Sequence, residues 1–290
     1  MNIENSINVL HAYLTRQKKD CSFCCNPKTS KFGGVGHFSH VRFCPQCKLM
    51  FRWPKQNASF NKFFYQRAYS KYQGDITTEL PNSDELRRLK ETNFVGSEKD
   101  FSNYVELLKM LGANSVLDYG CTWGYATYQF CQGGFDAEGL EISEPRADFG
   151  RKNLGVRIFG STDEIVSLGK KYDCIFTSHV LEHLPTPRIA FDFFDKVSKP
   201  GGWLVVEVPN CGGIDARREG VRWGPFSSQV HPLSYTSDFF LSALQEKVEK
   251  IHFFSRPFVP AEEIARFNGA PCHDSPDGAN LVVLAQWKKL

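Results

Sequence analysis

From residue 101 onward, short apolar runs alternate with amphipathic segments, and this alternation limits the fold more than any other property of the chain. FSNYVELLKMLG has helical periodicity and ends at Gly112, a residue suited to a helix C-cap. SVLDYG then reads as a short buried strand, YATYQFCQGG as a helix, FDAEGLEIS as a strand, and PRADFGRKNLG as a helix opened by Pro145. The rhythm continues through VRIFGS, TDEIVSLGK, YDCIFTSHV, TPRIAFDFFDKVSKPGG, WLVVEVPN and TSDFFLSALQEK to two closing strands, KVEKIHFFS and ANLVVLAQW. Strands joined through helices by short connections predict a doubly wound α/β sheet. Ligands of such sheets bind beyond the carboxyl ends of the strands, so the loop VLDYGCTWG at 116–124 is the first place to look for a site.

The N-terminal part follows a different logic. Cys21-x2-Cys24 and Cys44-x2-Cys47 are separated by nineteen residues, the spacing of two thiolate knuckles in a zinc ribbon. Four soft ligands close a tetrahedron and leave no open position, so the expected zinc is structural. The intervening NPKTSKFGGVGHFSHVRF suits a β-hairpin, with Cys25 as a competing thiol and His37 and His40 as further candidate ligands. The start, MNIENSINVLHAYL, lacks the basic-then-apolar pattern of a signal peptide and reads as an amphipathic helix with Ile3, Ile7, Leu10 and Leu14 on one face. A cytoplasmic setting follows as an expectation, in which ten cysteines favour metal over disulfides. The chain divides into 1–54 (ribbon-like, with the leading helix), 55–100 (an aromatic-rich helical bridge or lid, with a helix capped at Ser83), and 101–290.

Three features of the core speak to a cofactor. Gly120 and Gly124 allow backbone to approach a ligand where a Cβ would block it. Glu141 ends the second strand of the core, 141 − 118 = 23 residues after Asp118, where an acid can accept from both hydroxyls of an adenosine ribose. Asp118 itself stands in front of the loop, where it would repel a pyrophosphate and attract an ammonium. The pair favours S-adenosylmethionine (SAM) over a nicotinamide dinucleotide.

VLDYGCTWGYAT, GLEIS, YDCIFTSHVLEHLPTP and SKPGGWLVVEVPN resemble the successive motifs of class I SAM-dependent methyltransferases over residues 101–290. The cysteine pairs with the aromatic bridge are similar to a subgroup that carries an N-terminal zinc-binding domain and includes sugar C-methyltransferases. The resemblance implies a Rossmann-like seven-stranded sheet preceded by a small zinc-ribbon-like domain. It implies that Asp118, Gly120 and Gly124 face the methionine half of SAM, that Glu141 binds the ribose, and that Ile142 covers the adenine. Thr162 and Asp163 would lie near the adenine amino group, and Ser178 and His179 near the sulfonium. Thr122 replaces the usual glycine, crowding the loop while offering a hydroxyl to the SAM carboxylate. Tyr65, Tyr69 and Tyr72 would close over the cofactor from the bridge.

Methyl transfer to oxygen or carbon needs a base, and histidine titrates near neutral pH. His231 is the first candidate, His183 the second and Tyr235 the third, each weighed against a packing role; Glu182 sits beside His183. The insertion CGGIDARREGVRWGPF is suited to a lid, and its Arg217, Arg218 and Arg222 could pair with the phosphates of a nucleotide-sugar, although a solvated loop explains them slightly better. The expected enzyme methylates a small molecule such as a sugar, nucleotide-sugar or glycan precursor. An RNA or protein acceptor read by the ribbon, and a non-catalytic scaffold, are the alternatives. A net charge of +3 gives little support to nucleic acid, and no apolar run reaches membrane-spanning length.

Overall fold

The alternating stretch folds as a layered α/β unit in the computed structural model, which describes residues 3–36, 38–56, 79–228, 230–269 and 276–289. Tyr65, Tyr69 and Tyr72, assigned above to a closing bridge, lie outside the described residues, as does His37. Helix α1 (Ile3–Leu14) leads into β1 (Ser30–Val35), β2 (Ser39–Phe43) and β3 (Met50–Trp53). After α2 (Ser83–Glu91) and α3 (Ser102–Met110) come β4 (Ser115–Tyr119), α4 (Tyr125–Gln132), β5 (Asp136–Leu140), α5 (Glu144–Asn153), β6 (Arg157–Phe159) and α6 (Thr162–Ser167). Then follow β7 (Tyr172–Ser178), a 3₁₀ turn (Leu181–His183), α7 (Pro187–Val197), β8 (Ser198–Pro209), α8 (Ile214–Glu219), a second 3₁₀ turn (Gly220–Arg222) and α9 (Gly224–Ser227). The chain closes with β9 (Leu233–Ser234), α10 (Ser237–Leu244), β10 (Val248–Ser255), α11 (Pro260–Asn268) and β11 (Asn280–Trp287).

Seven strands form the central sheet in the order β10-β11-β8-β7-β4-β5-β6. The pairs β4–β5, β5–β6, β4–β7 and β7–β8 are parallel, and β11 inserts antiparallel between β8 and β10. The chain leaves β4 toward β5 and β6, then returns to β4's other side as β7. That reversal splays the loops after β4, β5 and β7 apart and makes the crevice where a doubly wound sheet binds ligands. Parallel strands are covered on both faces, which is why they read as unbroken apolar runs. Val116, Leu117, Ile175, Phe176, Leu204 and Val205 are all buried.

The cysteine-bearing segment is built into this unit. β1, β2 and β3 form an antiparallel sheet whose fourth strand is β9, with Met50 opposite Ser234 and Phe51 opposite Leu233. The Arg52 amide donates to the Pro232 carbonyl at 2.7 Å, and its guanidinium donates to the Phe226 carbonyl. Phe23, Leu49 and Phe51 share one apolar cluster with Phe191, Tyr235, Phe239 and Phe240. The stretch expected to form a lid is docked rather than loose: Trp223 and Phe226 are buried against Val41 and Met50.

Two local readings are corrected. The cap of α2 is Asn82, not Ser83; its side chain accepts from the amides of Asp84 and Glu85, because its extended backbone aims the oxygen at the first turn. Among the described side chains of α1, Val9 and Ala12 are buried, whereas Leu10 and Leu14 are 60% and 75% exposed. The helix packs against the β3 edge through Tyr13, whose ring meets Trp53 edge-on at 4.9 Å.

Gly150 shows how tightly α5 lies on the nucleotide-side loop. A Cβ there would sit 2.6 Å from the Trp123 carbonyl oxygen and 2.6 Å from Ile158 Cδ1. The carbonyl is backbone and cannot swing away. Gly150→Ala is therefore expected to destabilise the protein by about 1–3 kcal/mol, read as a lowered urea midpoint at unchanged slope.

Candidate functional site

Asp118 lies at the end of β4, buried, with Oδ2 accepting from the Thr127 hydroxyl of α4 at 2.7 Å. Among the described residues no cation pairs with it. Burial, outweighing the Thr127 bond, pushes its carboxyl up to about 7. Glu141 follows β5. Its Oε1 accepts from the Ser143 amide at 2.7 Å and its Oε2 from the Thr122 amide at 3.1 Å, leaving a further lone pair on each oxygen. Burial raises its pKa against those amide bonds. Glu141 therefore anchors the loop directly, a contact the one-dimensional spacing does not reveal.

The loop backbone alternates through the left-handed region at Gly120 (φ 80°), Thr122 (φ 53°) and Gly124 (φ 81°). A β-branched residue there carries ~1–2 kcal/mol of strain, so the crowding expected of Thr122 is conformational. Its hydroxyl oxygen is buried and has no partner. The Cβ position of each of the two glycines is filled by protein side chains. A Cβ on Gly120 would lie 2.4 Å from Val180 Cγ2, and one on Gly124 would lie 2.8 Å from Val156 Cγ2. These glycines thus serve positive φ and close packing of the loop on its protein neighbours.

Ile142 is 59% exposed beside Glu141, so it is a surface apolar residue and not core. Thr162 opens α6 behind the Ser161 cap, half-buried, and Asp163 is exposed in the same turn. A buried carboxylate with no cation, an orphan hydroxyl, a ribose-competent acid and an exposed apolar residue lie along the ends of β4 and β5. This donor set fits SAM, which offers an ammonium, a carboxylate, a ribose diol and an adenine face.

The end of β7 carries a second network. The Ser178 hydroxyl donates to Glu207 Oε2 at 2.9 Å, as does the Tyr104 hydroxyl at 2.9 Å, and Asn280 donates to Oε1 at 3.0 Å. His179 stands between two acids, with Nδ1 3.2 Å from Glu182 Oε1 and Nε2 3.7 Å from Glu207 Oε1. Burial works against its charge, but the two carboxylates outweigh it and raise the imidazole to about 10. Glu207 is driven the other way: burial raises it, His179 and Arg256 overcome this, and it falls to about 2. Glu207, Tyr104 and Asn280 are residues that sequence reasoning missed. The available signal was a charge inside an apolar strand, the glutamate of WLVVEVPN.

The third group comprises Glu182, His183 and His231, whose ligand-capable atoms lie within 4.8 Å of one another. The two imidazole rings meet at 4.6 Å, edge to face. Burial, reinforced by His183, lowers His231 to about 4, and burial also lowers His183, so both rings are neutral at neutral pH. Tyr235 does not join them. Its hydroxyl is fully buried and donates to the Leu181 carbonyl at 3.0 Å, and burial raises its pKa well above the ordinary value. It anchors the 3₁₀ turn and presents no free base, which corrects its place among the candidate bases.

In the N-terminal unit, Cys21, Cys24, Cys44 and Cys47 converge, with Sγ–Sγ separations of 3.4 Å for Cys21–Cys47 and 3.5 Å for Cys24–Cys44. A disulfide needs about 2.05 Å. Four thiolates at zinc's bond length of about 2.3 Å would stand slightly farther apart than these sulfurs do, so the set fits a tetrahedral metal. Cys25 is exposed at φ 60° and outside the cluster. His40 instead meets Trp53 with ring centroids 5.1 Å apart and the planes tilted by 33°. Of the basic residues near the ribbon, Arg42 is turned inward onto Thr29, Lys19 lies over Trp53, and Lys48 donates to the Pro45 carbonyl. In the docked insertion, Arg217 pairs with Asp277 and Arg218 with Asp215, so these two are not poised for phosphate.

Residues 72–250 match the family model described as a methyltransferase domain. The chain is 28% identical over 112 residues to the ubiquinone biosynthesis O-methyltransferase of Bordetella avium, covering 36% of this chain and 46% of that protein. It is 21% identical over 114 residues to the protein of that name from Hydrogenovibrio crunogenus, covering 37% and 47%. The chain thus spans about half the length of the curated relatives it matches. Among solved structures it is similar to the plantazolicin methyltransferase BpumL in complex with SAH, at TM-score 0.49 and 16% identity, covering 79% of this chain and 96% of that one. No helix among the described residues is long and apolar enough to cross a membrane.

The Asp118 carboxyl gives a sign-definite test of the donor set. At pH 6 it is mostly protonated and at pH 8 mostly ionised, and an ammonium pairs with the ionised form. SAM affinity is expected to rise between pH 6 and 8, with proton release detected by calorimetry in buffers of different ionisation enthalpy. Asp118→Asn should flatten that dependence; a flat profile in the unmodified protein would remove the ammonium from this site.

Proposed function

Because the chain belongs to the methyltransferase-domain family, its matched residues making up more than half of its length, we propose that it is a class I SAM-dependent enzyme that methylates an oxygen of a small molecule. The observation that carries this reading is the pairing of an unneutralised buried Asp118 with Glu141 across the loop that holds Thr122. In this reading Asp118 receives the ammonium, the Thr122 hydroxyl and the loop from Gly120 to Gly124 receive the carboxylate end, and Glu141 takes the ribose. Ile142 covers the adenine, with Thr162 and Asp163 near its amino group, and Ser178 and His179 line the sulfonium end. The bound cofactor supplies an electrophilic methyl group. Everything else is the work of this chain's side chains, which must align the acceptor and take up its proton.

That proton goes to the Glu182–His183–His231 group, with His231 as the first base and His183 as the second. Both rings are neutral at neutral pH and hence able to accept. The names of the curated relatives support oxygen as the acceptor atom. A sugar or glycan precursor is the proposed acceptor class, resting on the likeness of the cysteine pairs to a sugar-modifying subgroup. With Arg217 and Arg218 engaged by acids, its hydroxyls are the more suitable handle than its phosphates. Residues 1–54 would then be a zinc-bound unit, 55–100 a bridge, and 101–290 the cofactor-binding part. The zinc at Cys21, Cys24, Cys44 and Cys47 is structural here: it holds the sheet whose β3 edge fixes β9, two residues beyond His231.

Calorimetric titration with SAM tests the first step. Binding in the micromolar range is expected, and Glu141→Ala should weaken it at least tenfold by removing the loop anchor and the ribose acceptor together; absence of binding would overturn the reading. An acceptor screen with sugars and phenols, scored by SAH release, tests the second. Cys47→Ser addresses the metal. It should increase amide exchange at Phe51 and Leu233 and abolish methyl transfer, while SAM affinity stays within about threefold.

A further inference from the structure

Among the described residues, the Glu182–His183–His231 group holds two buried polar atoms without a hydrogen-bond partner. Glu182 is 1% exposed, and its Oε2 is buried without a partner. The Nδ1 of His231 is likewise buried without a partner. The Nδ1 of His183 stands 2.8 Å from the Val230 carbonyl oxygen. A carbonyl only accepts, so that nitrogen carries the hydrogen, and the neutral ring's lone pair is on Nε2. One ligand-capable nitrogen of each histidine and one carboxylate oxygen of Glu182 lie within 4.8 Å of one another. Burying Glu182 Oε2 and His231 Nδ1 without a partner is costly.

We propose that Glu182, His183 and His231 bind a divalent transition-metal ion, distinct from the one held by the four cysteines. A two-histidine, one-carboxylate donor set leaves coordination positions open and prefers zinc, iron, cobalt or manganese to the harder magnesium and calcium. The surroundings are those of a metal ligand set. The second nitrogen of His183 is pinned by a backbone carbonyl, and the second oxygen of Glu182 is oriented by His179, which Glu207 braces in turn. Outer contacts of this kind fix the tautomer and the aim of the ligands.

The inference rests on the reading above for its placement of the acceptor at this group, and it changes how the acceptor is activated. An open position on the ion takes the acceptor hydroxyl and lowers its pKa, as bound water is acidified. The O–H bond then breaks toward solvent. The pair left on oxygen forms the O–C bond, while the C–S pair returns to sulfur and leaves SAH. His231 acts as a ligand instead of as the base.

Cobalt(II) titration of the full-length, metal-stripped protein tests this by absorbance and by metal content. Two equivalents per chain are expected: one with intense thiolate charge-transfer bands from the cysteine cluster, one with weaker bands of nitrogen–oxygen coordination. His231→Ala and Glu182→Gln should each lose the second equivalent and keep the first. The glutamine variant preserves shape, so it answers for any folding defect in the other. A single equivalent with only thiolate bands in the unmodified protein overturns the proposal, as does retention of both by the variants. SAM calorimetry on the same samples separates the two readings, because failure to bind SAM overturns methyl transfer while leaving the metal count as it stands.

Discussion

Four carboxylates are buried along the carboxyl edge of the central sheet: Asp118 at the end of β4, Glu141 after β5, Glu182 after β7 and Glu207 near the end of β8. A buried charge must be paired, hydrogen-bonded or neutralised by a shifted pKa. Glu207 is answered by Tyr104, Ser178, Asn280 and the raised His179. Glu141 is answered by two amides, one of which is the loop itself. Asp118 has a single hydroxyl, and Glu182 has His179 on one oxygen and nothing on the other. The two satisfied acids rigidify the edge. In the proposed reading the two unsatisfied ones take up positive charge, an ammonium at the first and a proton or cation at the second.

The cysteine-bearing sheet is the second support of the same edge. β9 is only two residues long and pairs in its sheet with β3. The residues that make up the knuckles and the aromatic side chains of α7 and α10 lie in one apolar cluster. The segment that carries His231 is therefore held between a metal-competent cluster on one side and Tyr235's bond to the 3₁₀ turn on the other. The loop's position is defined from both flanks and by the Val230 carbonyl at His183.

How far the sequence reaches can be judged residue by residue. The order of strands and helices was legible because buried parallel strands leave unbroken apolar runs and amphipathic helices leave a 3.6-residue period. The cysteine cluster was legible because a C-x-x-C turn is a local device. The packing that Gly120 permits was not legible because the side chain that meets its Cβ position, Val180, is sixty residues away in the chain. The insertion at 211–226 looked like a lid because its glycines and charges resemble a loop, whereas Trp223 and Phe226 find a docking surface only once β2 and β3 are in place.

By itself the sequence determined the periodicities, the acids at the strand ends, and the pair of knuckles, since each depends on neighbours within a few residues. Tertiary structure alone decided which acids remain without partners, which histidines meet, and which side chains pack against the loop glycines. Those outcomes depend on contacts between Glu182 and His231, between Thr122 and Glu141, and between Phe51 and Leu233. Such contacts join distant parts of the chain, and burial, which sets their electrostatic strength, exists only after the layers have packed.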